Sequence, residues 1–233
     1  MGPWARPARA ASLTVMVVGD SLSAEYGMPR GTGWVALLGQ RLKKAGLAAT
    51  VINASISGDT TSGGRSRLPA LLKQHQPTHL IVELGGNDAL RGIPMAVSDA
   101  NLRWMAQAGR EAGAKVMVTG LEMPPNYGAR YTQDFSAMFA KVAQAEGATL
   151  VPSLLAGVSD DPEPLRWFQA DRIHPVEAAQ PMILENVWRV LQPAWLKATA
   201  GNAAANGPSG PSSNSPAKNP AKDSPAESAG ARR

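Results

Sequence analysis

Five short apolar runs recur along this chain, and between them lie segments whose apolar residues fall three and four positions apart. The runs occupy residues 13–18, 49–53, 79–84, 115–119 and 149–151, and branched side chains dominate them. Runs without polar alternation suit strands covered on both faces. The intervening segments carry helical faces: Trp34, Leu37, Leu38 and Leu42; Leu102, Met105 and Ala106; Phe135, Met138, Phe139 and Val142. A last face, Ile183, Leu184, Val187, Trp188 and Leu191, has Pro181 in its opening turn, where an N–H would be unpaired in any case. Strand–helix alternation of this kind closes into a parallel sheet with right-handed crossovers. The predicted fold class is therefore α/β: a three-layer α/β/α domain of flavodoxin-like outline, built on a five-stranded parallel sheet.

The same reading sets the domain limits. Residues 198–233 contain no Val, Ile, Leu, Met or aromatic side chain, so they cannot bury enough apolar surface to offset chain entropy. They are expected to form a disordered tail rich in Ala, Pro, Ser and Gly. Residues 1–11 are expected to be a flexible leader and residues 12–197 the folded domain. Of the formal net charge of +5, the leader's two arginines and the tail's surplus of two basic residues account for four. The folded part keeps about +1, which argues against a nucleic-acid surface.

Other classes fall away on composition. The chain has no cysteine, which removes disulfides, thiolate zinc sites and a cysteine nucleophile. No run approaches the ~20 apolar residues of a membrane span, so stable membrane insertion is not expected. The leader lacks the apolar core of a signal peptide. Taken as given, the chain reads as cytoplasmic, and as periplasmic or secreted if the true start lies upstream.

In open parallel sheets, sites form beyond the carboxyl ends of the strands. Gly19, Asp20 and Ser21 follow the first run, and Gly58 follows the second. Gly85, Gly86, Asn87 and Asp88 follow the third, and Asp171 and His174 precede the last helix. Singly, each cluster has a plainer reading as a turn, a cap or loop punctuation. Jointly they supply what acyl transfer needs. A serine hydroxyl is a weak nucleophile until a base takes its proton. Ser21 is the candidate nucleophile, His174 the base and later acid, and Asp171 the group that fixes the imidazole tautomer. The backbone N–H groups of Ser21 and Gly58, with the Asn87 side chain, are candidates for the oxyanion hole. His75 and His79 belong at the opposite rim, since one ends a helix before the third run and the other begins that run.

These blocks, Ser21 in GDSL, Gly58 in SGDTTSGG, Asn87 in GGND and His174 in DRIHP, resemble the SGNH or GDSL hydrolase family. The stretches GDSLSAEYG, VELGGNDALRG and MPPNYGARY are similar to its bacterial branch of multifunctional acyl-CoA thioesterases, lysophospholipases and arylesterases. The resemblance implies a serine esterase or thioesterase with a Ser-His-Asp triad acting on small ester and thioester substrates; no cofactor or metal is expected, and the chain is expected to act as a monomer. It also implies an acyl-chain groove bordered by Leu90, Ile93, Pro124 and Tyr127. A carbohydrate acetyl esterase of the same family is the nearest rival. A metallophosphoesterase would need several histidine and carboxylate ligands, and only His174 is placed to serve. A flavodoxin-like nucleotide- or flavin-binding domain has no GxGxxG or GxxxxGK[ST] in its support.

Overall fold

The computed structural model describes residues 13–196, so the expected leader and tail lie outside the described residues. Strands β1 (Leu13–Gly19), β2 (Ala49–Asn53), β3 (His79–Glu83), β4 (Lys115–Thr119) and β5 (Thr149–Val151) form one parallel sheet. Their order is β2-β1-β3-β4-β5. β3 is buried along its whole length and β1 from Val15 onward, the burial that unbroken branched runs demand. The apolar run at residues 79–84 outlasts its strand. Pairing with β1 ends at Gly19 opposite Glu83, and Leu84 turns into the core ahead of Gly85, whose φ of +124° redirects the chain.

Among the described residues six α-helices surround the sheet: α1 (Trp34–Lys44), α2 (Thr61–His75), α3 (Gly86–Leu90), α4 (Met95–Glu111), α5 (Ala129–Ala145) and α6 (Gln180–Leu191). α1 packs on α6, while α2 packs on α4 and α4 on α5, which places the sheet between helical layers. The faces expected from periodicity supply the core, with Leu37 alone among them only half-buried. α2 has little apolar periodicity, because Gly63, Gly64 and Pro69 dilute its face. The hydroxyl of Thr60 starts it by accepting the N–H of Gly63. Among the described residues no helix is long and apolar enough to cross a membrane.

The chain runs from β1 outward to β2, then returns past β1 to β3. That reversal is a topological switch point, where a crevice opens beyond the strand ends. Ser21 leaves β1 and Asn87 leaves β3 at this crevice. At the other end of the sheet, His79 opens β3, buried with its ring 4.4 Å from that of Trp195.

Candidate active site

Ser21 stands on a tight turn at the end of β1. The Asp20 carboxylate accepts the N–H of Leu22 at 3.0 Å, and the Asp20 carbonyl accepts those of Ser23 and Ala24. This winds one helical turn and leaves the Ser21 side chain half-buried at the rim. The glycine before it is required by packing. A Cβ on Gly19 would sit 2.7 Å from Glu83 Oε2 and 2.8 Å from Ser23 Oγ. Those two side chains cross over Gly19 and bond each other, Ser23 Oγ donating to Glu83 Oε2 at 2.7 Å.

His174 reaches Ser21 from 153 positions away. Its Nε2 lies 2.9 Å from Ser21 Oγ, and its Nδ1 lies 2.6 Å from Asp171 Oδ2. A proton on Nδ1 donated to Asp171 leaves Nε2 free to accept the serine proton. The other Asp171 oxygen accepts the N–H groups of Ile173 and His174, each at 3.0 Å. Partial burial pulls the Asp171 carboxyl upward, but the His174 ring and these two N–H groups outweigh it and hold the pKa at about 2. The carboxylate therefore stays ionised wherever the imidazole needs it.

The histidine loop is a small hairpin. Phe168 bridges Pro175 antiparallel, and the Gln169 N–H donates to the His174 carbonyl at 2.8 Å. Gln169 Nε2 donates both to the Tyr26 carbonyl, at 2.9 Å, and to the Pro175 carbonyl, at 3.2 Å. One amide thus ties the serine loop to the histidine loop.

Gly58 lies on the turn after β2 with φ of +78°, a conformation that favours glycine. Arg67 braces this turn, donating to Asp59 Oδ2 at 2.8 Å, to the Ala54 carbonyl and to the Gly19 carbonyl at 3.3 Å. Asn87 Nδ2 donates to Asp20 Oδ2 at 3.0 Å, leaving its second N–H for other use. Among the described residues the backbone N–H groups of Ser21 and Gly58 meet no acceptor. Asp88, fully buried next to Asn87, accepts Thr61 N–H, Thr61 Oγ1 and Ser98 Oγ, and so fixes α3 against α2 and α4.

Beneath the serine turn sits a buried acid pair. Burial above all pushes Asp20 up to about 6, against the opposing N–H of Leu22 and amide of Asn87. Glu83 is raised well above the carboxylate range, first by burial and then by the neighbouring Asp20 charge. Its Oε1 is buried without a partner, which also favours the neutral acid.

The structure thus brings Ser21, His174 and Asp171 into direct contact and places Asn87 against Asp20. Leu90 and Ile93 follow β3, and Pro124 and Tyr127 follow β4, all at the same rim. Leu90 and Tyr127 are exposed, and Tyr127 stacks on Tyr131 at 6.1 Å. A cavity of about 370 Å³ between β2 and α1, lined by Val35, Val51, Asn53 and Ser55 among others, includes none of the triad candidates.

Glu83, Arg67, Gln169 and Tyr26 are the site's unforeseen members. Glu83 reads as a strand residue and Arg67 as an ordinary helix charge. The Gln169 side-chain amide and the Tyr26 carbonyl it bonds lie 143 positions apart, and no local pattern announces them.

A doubly wound sheet with a serine, a histidine–aspartate pair and candidate oxyanion donors at one switch point defines an SGNH hydrolase, a class of carboxylic ester hydrolases. The chain belongs to the GDSL-like lipase/acylhydrolase family, whose model matches residues 17–180. It is 51% identical over 185 residues to the esterase TesA of Pseudomonas aeruginosa, covering 79% of this chain and 90% of that relative. It is 43% identical over 184 residues to the thioesterase 1/protease 1/lysophospholipase L1 of Escherichia coli K12, covering 79% of this chain and 86% of the relative. Among solved structures, that of TesA superposes with a TM-score of 0.74 at 51% identity, covering 77% of this chain and 98% of the other.

Proposed function

We propose that the chain hydrolyses carboxylic esters and thioesters through an acyl-enzyme on Ser21, with aryl esters, acyl-CoA and lysophospholipid-like molecules as the substrate range. The observation that carries this is the relay of 2.9 Å and 2.6 Å linking Ser21 Oγ to His174 and His174 to Asp171. Ser21 Oγ attacks the carbonyl carbon as its proton passes to His174 Nε2. The tetrahedral oxyanion is received by the N–H groups of Ser21 and Gly58 and by the Asn87 side chain. Collapse breaks the C–O or C–S bond, and His174 returns the proton to the leaving oxygen or sulfur. Water then attacks the acyl-enzyme by the same route, releasing the carboxylic acid and restoring Ser21.

Asp171 keeps the imidazole in the tautomer this sequence requires and stabilises the imidazolium. Leu90, Ile93, Pro124 and Tyr127 border the acyl chain. All of these residues come from one chain, which supports action as a monomer. The test is hydrolysis of p-nitrophenyl esters of graded acyl length, wild type beside Ser21→Ala, with a strong chelator present. Activity that disappears with Ser21 is the expected result, and equal rates in both proteins would overturn the mechanism. The length profile also decides the substrate class: a sharp preference for acetyl would mark a carbohydrate acetyl esterase instead.

A further inference from the structure

Tyr26 touches the imidazole that the reaction depends on, and nothing in the mechanism so far uses it. Its ring centroid lies 4.2 Å from that of His174, with the planes inclined by 37°. The side chain is nevertheless 47% exposed, so it is no part of the core. Its backbone is anchored, because its carbonyl accepts the same Gln169 amide that holds the histidine loop, and its ring rests against the His174 imidazole. Ile173, next to His174 in sequence, is also 47% exposed.

Proton return sets where the leaving group must be. For His174 Nε2 to protonate the departing oxygen, that oxygen must lie within about 3 Å of Nε2. The group bonded to it therefore emerges beside the imidazole, whereas the acyl chain hangs from the other bond of the same carbonyl carbon. The residues assigned to the acyl chain come from the connections after β3 and β4, while Tyr26 comes from the turn after β1. An exposed flat ring beside the general acid is thus the surface the leaving group meets.

We propose that Tyr26, flanked by Ile173, forms the leaving-group subsite and selects esters whose alcohol portion is an aromatic or flat apolar ring. The proposal rests on the reading of His174 as the general acid. Ring–ring contacts of this kind are worth roughly three- to tenfold in rate.

The experiment compares phenyl butyrate with butyl butyrate, which share an acyl group and hence one acyl-enzyme. kcat/KM is measured for wild type, Tyr26→Phe and Tyr26→Leu, with Ser21→Ala alongside. Tyr26→Leu is expected to lower kcat/KM for the phenyl ester about three- to tenfold more than for the butyl ester, and Tyr26→Phe to keep the wild-type ratio. Inhibition by phenol should weaken in parallel in the Leu variant, which reports binding apart from turnover. Equal proportional losses on both esters would show that Tyr26 only steadies the imidazole, and unchanged rates would show that it does nothing; either overturns the subsite. Phenyl ester hydrolysis that survives in Ser21→Ala would instead overturn the triad on which the subsite rests.

Discussion

The parallel sheet holds a histidine at each end, and the two live under opposite rules. His174, at the carboxyl rim, has its Nδ1 2.6 Å from Asp171 Oδ2, a carboxylate held ionised. His79, at the amino end, is buried against Trp195, its Nδ1 2.9 Å from Thr78 Oγ1 and its Nε2 buried without a partner. Burial first, and then the Lys115 charge, push its pKa down to about 4. One ring is proposed to gain and lose a proton in every cycle, and the other is held neutral until the pH falls towards 4. The carboxyls divide likewise: Asp171, bonded by three donors, is held low, while Asp20 and Glu83, sealed beneath the serine turn, are pushed up. Identical side chains become machinery or filling according to solvation and partners, not sequence type.

The strongest way to break this contrast is to remove each ring in turn. His174→Ala should lower kcat by about 10⁴–10⁶-fold, whereas His79→Gln should leave kcat within about twofold, both read from steady-state ester hydrolysis. Comparable losses in the two variants would erase the distinction. A smaller effect sharpens the carboxyl-rim side. Asn87→Ala should cost about 10²–10³ in kcat through the loss of one oxyanion donor. A change confined to KM would make Asn87 a ground-state contact instead.

The smallest effect is on stability, and there the two ends oppose each other. His79 binds a proton more readily unfolded, at its ordinary value of 6.5, than folded, at about 4. It therefore makes the fold less stable as pH falls through that window. Asp20 does the reverse, since its folded value of about 6 exceeds its ordinary 3.8, and the fold loses stability as pH rises from about 4 to about 6. Each contributes on the order of 3 kcal/mol, several degrees in Tm for a domain of this size. Between pH 4.5 and 6, the Tm of His79→Gln should rise as pH falls, and that of Asp20→Asn should drop. Parallel Tm profiles in the two variants would refute the opposed assignment.

What could be read from the sequence was what a local pattern records. Unbroken branched runs gave all five strands to within one residue of their ends, and β2, β4 and β5 without error, because burial on both faces leaves no place for polar alternation. That Ser21, Gly58, Asn87 and His174 share one rim was legible because each follows a strand end or precedes a helix, and the topology collects those positions there. Glu83 was not, since the apolar run continues past it and only the register opposite Gly19 shows what its carboxyl crosses. Arg67 looked like any solvated charge on a helix, yet it links the ends of two strands. Tyr26 and Gln169 meet through a backbone carbonyl, and a backbone acceptor leaves no mark on residue choice.

The hydrogen bond from His174 to Asp171 spans three positions of chain, and the one from His174 to Ser21 spans 153. The acid–base pair is therefore a cassette whose internal tolerance is set within one hairpin, while its alignment on the serine accumulates error from everything between. Gln169, gripping both loops, is where that long-range error is cancelled. The connection from β5 to the hairpin, residues 152–167, is anchored at its start, with Leu154 and Val158 fully buried and Asn186 Nδ2 donating to the Leu154 and Ala156 carbonyls. Its mostly exposed residues 159–163 are where added length would disturb that alignment least, since lengthening a loop costs only slowly more.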